Sequence, residues 1–325
     1  MTKPLSIVVI GAGAHSVQYH LPALQHYAAT HAGVIELAGV CDRNEMRALE
    51  AAAQFGFAGA FSAWPAMLDC VRPDAVIAVT PAAITAKVAC AVMQRGIPLL
   101  MEKPLGATRD EARAVVRAAQ RASAPVMVSM NRRFDPALRA GLAWRAGRPL
   151  TFVRATFARE QRDEPDFIEY TAIHVVDAVL SLLGSVTRAT IVTQQRADAV
   201  WYYLHLFTAA GACALIEIMP TARCNAEAYE LIGPDYRIEA RSGWFDTGAL
   251  RLYEHNRLMR DEQIDPALPV WVRNGTFDET AAFIAALRTG VPPAPTPADV
   301  LRAAELCHAA YTAGCAGDNH IVELT

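Results

Sequence analysis

The chain has 325 residues, of which 53% are hydrophobic and 19% charged, and a formal net charge of −3 from 30 Lys and Arg against 33 Asp and Glu. That length suits about two domains, and the composition supports a sizeable core, which excludes wholesale disorder. The near-neutral balance argues against a dedicated nucleic-acid binder, and no apolar run reaches the roughly 18 residues of a membrane span.

From the N-terminus, short apolar runs alternate with helical stretches. Leu5–Ile10, Ile35–Cys41, Ala75–Thr80, Pro98–Met101 and Val126–Met130 read as strands, being too short for helices and lying beside turn residues, Pro or Gly. Asn44–Gln54, Ala82–Gln94 and Thr108–Ala122 have helical spacing. Strand and helix in alternation predict a parallel sheet covered on both faces. The opening residues run straight into the first strand with no small-residue cleavage site, so a secretory leader is not expected. Seven cysteines, an odd number without Cys-x-x-Cys spacing, fit reduced thiols in a cytoplasmic protein.

Gly11-Ala12-Gly13-Ala14-His15-Ser16 follows the first strand and opens a helix, the placement a dinucleotide site requires. Gly11 permits the tight turn, Gly13 lets backbone approach a pyrophosphate, and the helix N-terminus offers free N–H groups. Ser16 is small enough to stand where a third glycine would. Asp42, ending the next strand, suits the ribose hydroxyls of NAD, whereas Arg43 beside it could hold the extra phosphate of NADP; the balance leans to NAD. Thr80-Pro81 and Met101-Glu102-Lys103-Pro104 end later strands of the same sheet, where ligands of open parallel sheets bind. Lys103 there is a candidate to bond or deprotonate a substrate hydroxyl.

After about residue 149 the texture changes. Thr151–Arg159, Thr187–Gln194, Val200–Thr208, Ala212–Met219 and Ala228–Ile232 read as strands of an antiparallel sheet, interrupted by one helix over about Tyr170–Leu183 that stops at Gly184. Tyr170, His174 and Asp177, at i, i+4 and i+7, fall on one face of that helix. A polar stripe on a buried helix needs partners or a cavity, and a substrate pocket facing Lys103 would supply one. Arg132 and Arg133 are placed to reach substrate hydroxyls or a phosphate, and Arg139, Arg145 and Arg148 to form the wet face of the next helix. Trp201, Tyr202 and Tyr203 read as sheet core or interface before a sugar wall. His205, His255 and His320 show no metal-ligand spacing, so no metal is expected. The chain closes with helices near Thr276–Arg288 and Pro297–Ala313.

These pieces together resemble the glucose–fructose oxidoreductase, inositol dehydrogenase and MocA-like family. The matching residues are Gly11-Ala12-Gly13 with His20-Leu21-Pro22-Ala23-Leu24, Cys41-Asp42-Arg43, Thr80-Pro81, Glu102-Lys103-Pro104, Asn131-Arg132-Arg133-Phe134-Asp135-Pro136, His174, and Ala310-Tyr311. The resemblance implies an α/β Rossmann domain, residues 1–130, holding NAD or NADP. It implies a second, α+β domain, residues 131–325, with an open, mainly antiparallel sheet and last helices able to pack back on the first. Relatives oxidise or reduce sugars, inositols or related polyols, and they associate as homodimers or homotetramers through that sheet; neither nucleic acid nor membrane is implied as a partner. The cofactor set becomes Gly11, Gly13, Ala14, His15, Ser16, Asp42, Arg43, Thr80, Pro81 and Glu102. The catalytic set becomes Lys103, His174 and Tyr170, with Arg132, Arg133 and Asp177 on the substrate. Two slots depart from the pattern: Tyr170 stands where relatives carry an Asp four before the histidine, and Thr85 where they carry His near the cofactor rim. The first leaves open a sensor that has lost the chemistry, and a non-sugar substrate is a further alternative.

Overall fold

The computed structural model describes residues 3–245, 247–318 and 320–323. They fall into two compact units, Met1–Met130 with Thr276–Leu301, and Asn131–Gly275 with Arg302–Thr325. Among the described residues no helix is long and apolar enough to cross a membrane.

The first unit is built on a six-stranded parallel sheet of β1 (Leu5–Ile10), β2 (Ile35–Cys41), β3 (Ala60–Phe61), β4 (Ala75–Ala78), β5 (Leu99–Glu102) and β6 (Val126–Ser129). Its order, 3-2-1-4-5-6, is that of a doubly wound fold, with β1 central between β2 and β4. Ile7, Val8 and Val9 are wholly buried, as a strand covered on both faces requires. Two elements escape the sequence reading: β3, two residues long, and the helix Trp64–Val71. Helix starts are chemically marked. Asn44 Oδ1 accepts from Arg47 N at 3.3 Å, and Thr108 and Glu111 form a reciprocal capping box. The helix after the glycine-rich turn is composite: a π-helical turn, Ser16–His20, precedes the α-helix Leu21–Thr30. Thr276–Leu301 also belongs here. Ser129 Oγ donates to Glu279 Oε2 at 2.7 Å, both residues buried, and Val128 N donates to Pro295 O at 2.8 Å.

The second unit carries a nine-stranded sheet of β7 (Phe152–Ala158), β8 (Val186–Gln195), β9 (Val200–Thr208), β10 (Cys213–Met219), β11 (Ala226–Ile232), β12 (Tyr236–Arg241), β13 (Ala249–Glu254), β14 (Arg257–Gln263) and β15 (His320–Glu323). The order is 14-13-12-11-7-10-9-8-15, antiparallel except where β7 runs parallel to β10. β10 alternates buried and half-buried residues along its length, the signature of a sheet with one face on a core. The helices Pro136–Arg145 and Ile173–Leu183 lie against it. The strands β12 to β15 have no counterpart in the sequence reading. β14 is exposed at all seven positions, so no hydrophobic alternation marks it.

Two expectations for this unit need correction. The single helix over Tyr170–Leu183 is two pieces, Phe167–Tyr170 and Ile173–Leu183, separated at Thr171 and Ala172. The i, i+4, i+7 stripe therefore does not extend to Tyr170. Arg148 is not on a wet face: its guanidinium lies 4.1 Å from the Trp144 ring and 4.7 Å from the Tyr236 ring, and Nη1 donates to Glu254 at 2.7 Å.

Candidate functional site

At the carboxyl end of the parallel sheet, the chain leaves β1 through Gly11 at φ +107°, a conformation few side chains tolerate. A Cβ on Gly11 would stand 2.0 Å from the Val79 carbonyl oxygen, so this position admits nothing but hydrogen. Gly13 differs: beyond its own neighbours, no atom of the described residues lies within 4 Å of where its Cβ would be. The absent side chain leaves an open cradle on the solvent side of the turn, with Ala14 and His15 exposed beside it.

Asp42 ties this turn to β2. Its Oδ2 accepts from Ala12 N at 3.0 Å and its Oδ1 from Asn44 N at 2.9 Å. Each carboxylate oxygen keeps a second acceptor site, so the group can hold the loop and still receive a ligand hydroxyl. Arg43 stands exposed next to it. Ser16 is fully buried, as close helix–strand packing at the third position demands. At the end of β4, Thr80 Oγ1 lies 3.0 Å from Thr85 Oγ1, beside the half-exposed turn to Pro81. Thr85, in the slot where relatives carry His, is buried, and its hydroxyl lies 3.1 Å from each of the carbonyls of Thr80 and Pro81.

Glu102, the last residue of β5, is buried and makes three bonds. Oε1 lies 2.8 Å from His20 Nε2 and 3.2 Å from His15 Nε2, and Oε2 accepts from Lys103 N at 3.1 Å. An ionised carboxylate only accepts, so both Nε2 atoms carry the proton. Burial alone would raise this carboxyl, but the charges and hydrogen bonds of His15 and His20 outweigh it and hold the group well below the usual carboxylate range. The glycine-rich turn and the strand end that carries Lys103 are thus joined through one carboxylate. His15 and Glu102, read from sequence as separate cofactor contacts, are partners; His20 was read only as part of the family pattern, not as a partner of Glu102.

In the second unit, Asp135 caps the helix Pro136–Arg145 through Ala137 N and Leu138 N. The short turn before it delivers Arg132 into the interior. Arg132 Nε and Nη2 donate to Glu227 at 2.8 and 2.6 Å, Nη1 donates to Asn131 Oδ1 at 3.0 Å, and the Trp244 ring lies 4.1 Å from its guanidinium. Arg159 closes on the same Glu227. Arg132 is only 3% exposed, so its expected contact with substrate is corrected to a buried structural ion pair. Arg133 forks onto Asp177, Nε to Oδ2 and Nη2 to Oδ1, both at 2.7 Å. The two residues expected to meet substrate separately therefore bind each other, with Asp177 buried. His174 is 8% exposed, on the first turn of the helix Ile173–Leu183. Tyr170 is half-buried on the turn before it. Its neighbour Glu169 accepts from His308 Nδ1 at 2.8 Å, a pair with no sequence signal because 139 residues separate its members. Trp201 Nε1 donates to Thr221 Oγ1 at 3.1 Å, in line with a sheet role. The side chain of His320 lies outside the described residues.

Residues 5–130 match the model described as "Oxidoreductase family, NAD-binding Rossmann fold". The chain is 30% identical over 178 residues to the D-apiose dehydrogenase of Paraburkholderia graminis, which covers 51% of this chain and 48% of that one. The chain spans about half the length of the curated relatives it matches. The solved dehydrogenase from Chromobacterium violaceum superposes with a TM-score of 0.86 at 20% identity, over 98% of this chain and 96% of its own. A levoglucosan dehydrogenase in complex with NADH superposes with a TM-score of 0.80 at 20% identity, over 99% of this chain and all of its own.

Proposed function

We propose that the chain, whose residues 5–130 match the NAD-binding Rossmann oxidoreductase family, is a member of the glucose–fructose oxidoreductase, inositol dehydrogenase and MocA-like family and an NAD(P)-dependent oxidoreductase interconverting a secondary alcohol and a ketone on a sugar, inositol or related polyol. The observation that carries the reading is the turn after β1. It is closed to any side chain at Gly11, open over Gly13, and pinned by Asp42 at the end of β2. Those residues fit a dinucleotide: the open cradle admits a pyrophosphate close to backbone, and Asp42 retains acceptor capacity for ribose hydroxyls. The exposed Arg43 leaves room for NADP, and Asp42 favours NAD.

A nicotinamide bound there would supply the hydride acceptor or donor. The rest of the chemistry belongs to this chain. Lys103, held through its own backbone N by Glu102, would hydrogen-bond the reacting oxygen and, as an ammonium, favour the alkoxide-like charge that develops on it. His174 or Tyr170 would take or return the hydroxyl proton. Arg133, 19% exposed at its side chain while clasping Asp177, would orient the helix that bears His174. The names of D-apiose and levoglucosan dehydrogenase support a carbohydrate substrate.

The test is quenching of protein fluorescence and cofactor titration with NADH and NADPH, followed by a screen of pentoses, hexoses, anhydrosugars and cyclitols for cofactor reduction. Lys103→Ala is expected to bind the dinucleotide within a few-fold of the parent and to lose at least roughly 100-fold in kcat, as removal of a general acid–base group does. Normal turnover in that variant would remove Lys103 from the mechanism. Tight dinucleotide binding without turnover on any carbohydrate would favour a cofactor-binding sensor built on the same fold.

A further inference from the structure

We propose that His15, His20 and Glu102 form a binding site for a divalent transition-metal ion of the zinc class, with two imidazoles and one carboxylate as ligands. The proposal stands on the folded chain alone and does not depend on the dinucleotide reading.

The first ground is convergence. His15 Nε2, His20 Nε2 and a Glu102 oxygen lie within 4.8 Å of one another, with nitrogen–oxygen separations of 3.2 and 2.8 Å. Around a tetrahedral ion with bonds of about 2.0–2.1 Å, ligand atoms stand about 3.3 Å apart. The imidazoles therefore need to move back from Glu102 by roughly half an ångström and to close on one another by up to about 1.5 Å. Two nitrogens and one oxygen form a ligand set suited to zinc-class ions, and three protein ligands leave a fourth position for water.

The second ground is the backbone that makes the convergence. His15 and His20 are five residues apart. On an α-helix, at about 100° per residue, such a pair points some 140° apart. The π-helical turn Ser16–His20, with its i→i+5 bonding, brings residues five apart back onto one side. Such turns are rare and concentrate at functional sites. Here the turn gathers both rings about Glu102, with ring centroids 5.6 Å apart.

The third ground is access and charge. Glu102 and His20 are buried, whereas the His15 side chain is 45% exposed, so an ion has a route to an otherwise buried site. Among the described residues, His20 Nδ1 is buried with no hydrogen-bond partner, and Nε2 is anchored on Glu102. The ion would take each ring through Nε2 with the ring proton on Nδ1, and a ring that is protonated beforehand loses its second proton to solvent, so affinity falls as pH falls. Glu102 Oε2 keeps its bond from Lys103 N, and a bound ion would stiffen the link between the glycine-rich turn and the end of β5.

The experiment uses the whole chain, stripped of metal, titrated with Zn2+ by calorimetry in two buffers of different ionisation enthalpy and with Co2+ by visible absorption. One ion per chain, proton release that grows as the pH is lowered, and a tetrahedral Co2+ spectrum without a thiolate charge-transfer band are expected. His15→Ala, a substitution at a half-exposed side chain, should keep the parent's thermal midpoint. It should weaken binding by more than the roughly 10–100-fold that loss of a mere supporting partner costs. If that variant melts early, His15→Gln takes its place. The proposal is overturned by absence of stoichiometric binding, by binding unchanged in both variants, or by a thiolate band placing the ion on cysteine. Dinucleotide titration of the same metal-free protein reports separately on the proposed function.

Discussion

Two glycines two residues apart carry different physics. Gly11 is demanded by the fold: its φ of +107° and the Val79 oxygen 2.0 Å from a would-be Cβ are conflicts within the chain itself. A Cβ at Gly13 would meet nothing within 4 Å among the described residues beyond its own neighbours, so a side chain there tests a ligand's approach and not the fold. The two Ala variants should therefore separate. Gly11→Ala should lose about 1–3 kcal/mol of stability through backbone strain, seen as a lowered thermal midpoint and lost NADH binding together. Gly13→Ala should melt like the parent and lose NADH affinity at least about tenfold, or 1.4 kcal/mol. Equal affinity in Gly13→Ala and the parent would show that no phosphate approaches that turn. The motif itself was legible in the residues, because spacing and flanking elements are local. The fate of Arg132 was not. Whether an arginine faces solvent or a buried carboxylate depends on Glu227, 95 residues away, and no local pattern reports on that.

At the scale of the element, the helices announce themselves by caps and periodicity, and the errors fall where those cues are weak. The break at Thr171 and Ala172 has neither proline nor glycine, so an unbroken helix was the natural reading. The π-helical turn at Ser16–His20 is likewise invisible, since one extra residue per turn barely disturbs an apolar pattern five residues long. The helix Pro136–Arg145 shows how closely elements are fitted. It lies against β12 and β13 at Gly141, where a Cβ would stand 2.6 Å from Ile238 Cγ2. Gly141→Val should cost about 1–3 kcal/mol by overpacking, measured as a shift of the urea midpoint with an unchanged slope. Restoration of stability by pairing it with Ile238→Ala would locate the strain at that contact; an unaffected midpoint would mean that the helix rides farther from the sheet.

At the scale of the molecule, buried charge sets the response to acid. Burial alone would raise the Glu227 carboxyl, but Arg132 and Arg159 hold it below the usual 4.5. Glu102 is held down in the same sense by its histidines. A carboxyl depressed in the folded state contributes stability that is present above its unfolded value and is lost as pH falls through its folded one. Asp135 acts in the opposite sense: burial raises it above 3.8, so its contribution is present in acid and lost as pH rises through its folded value. Glu164 and Glu217 are also held down, by Arg162 and Arg154, so stability should decline as pH drops below about 4.5, and chemical denaturation across that range checks it. Glu227→Gln should cost about 3–5 kcal/mol near neutrality, because two guanidinium groups are left buried without their counter-ion, and should flatten the decline in acid. A variant as stable as the parent would mean that solvent reaches those arginines. Length, charge balance, the alternation of strand and helix, and the glycine-rich turn all follow from neighbours along the chain, and these were readable without coordinates. Which histidines meet Glu102, which arginines go inside, and that residues 276–301 complete the first unit were settled only on folding, because each depends on contacts between segments far apart in the chain.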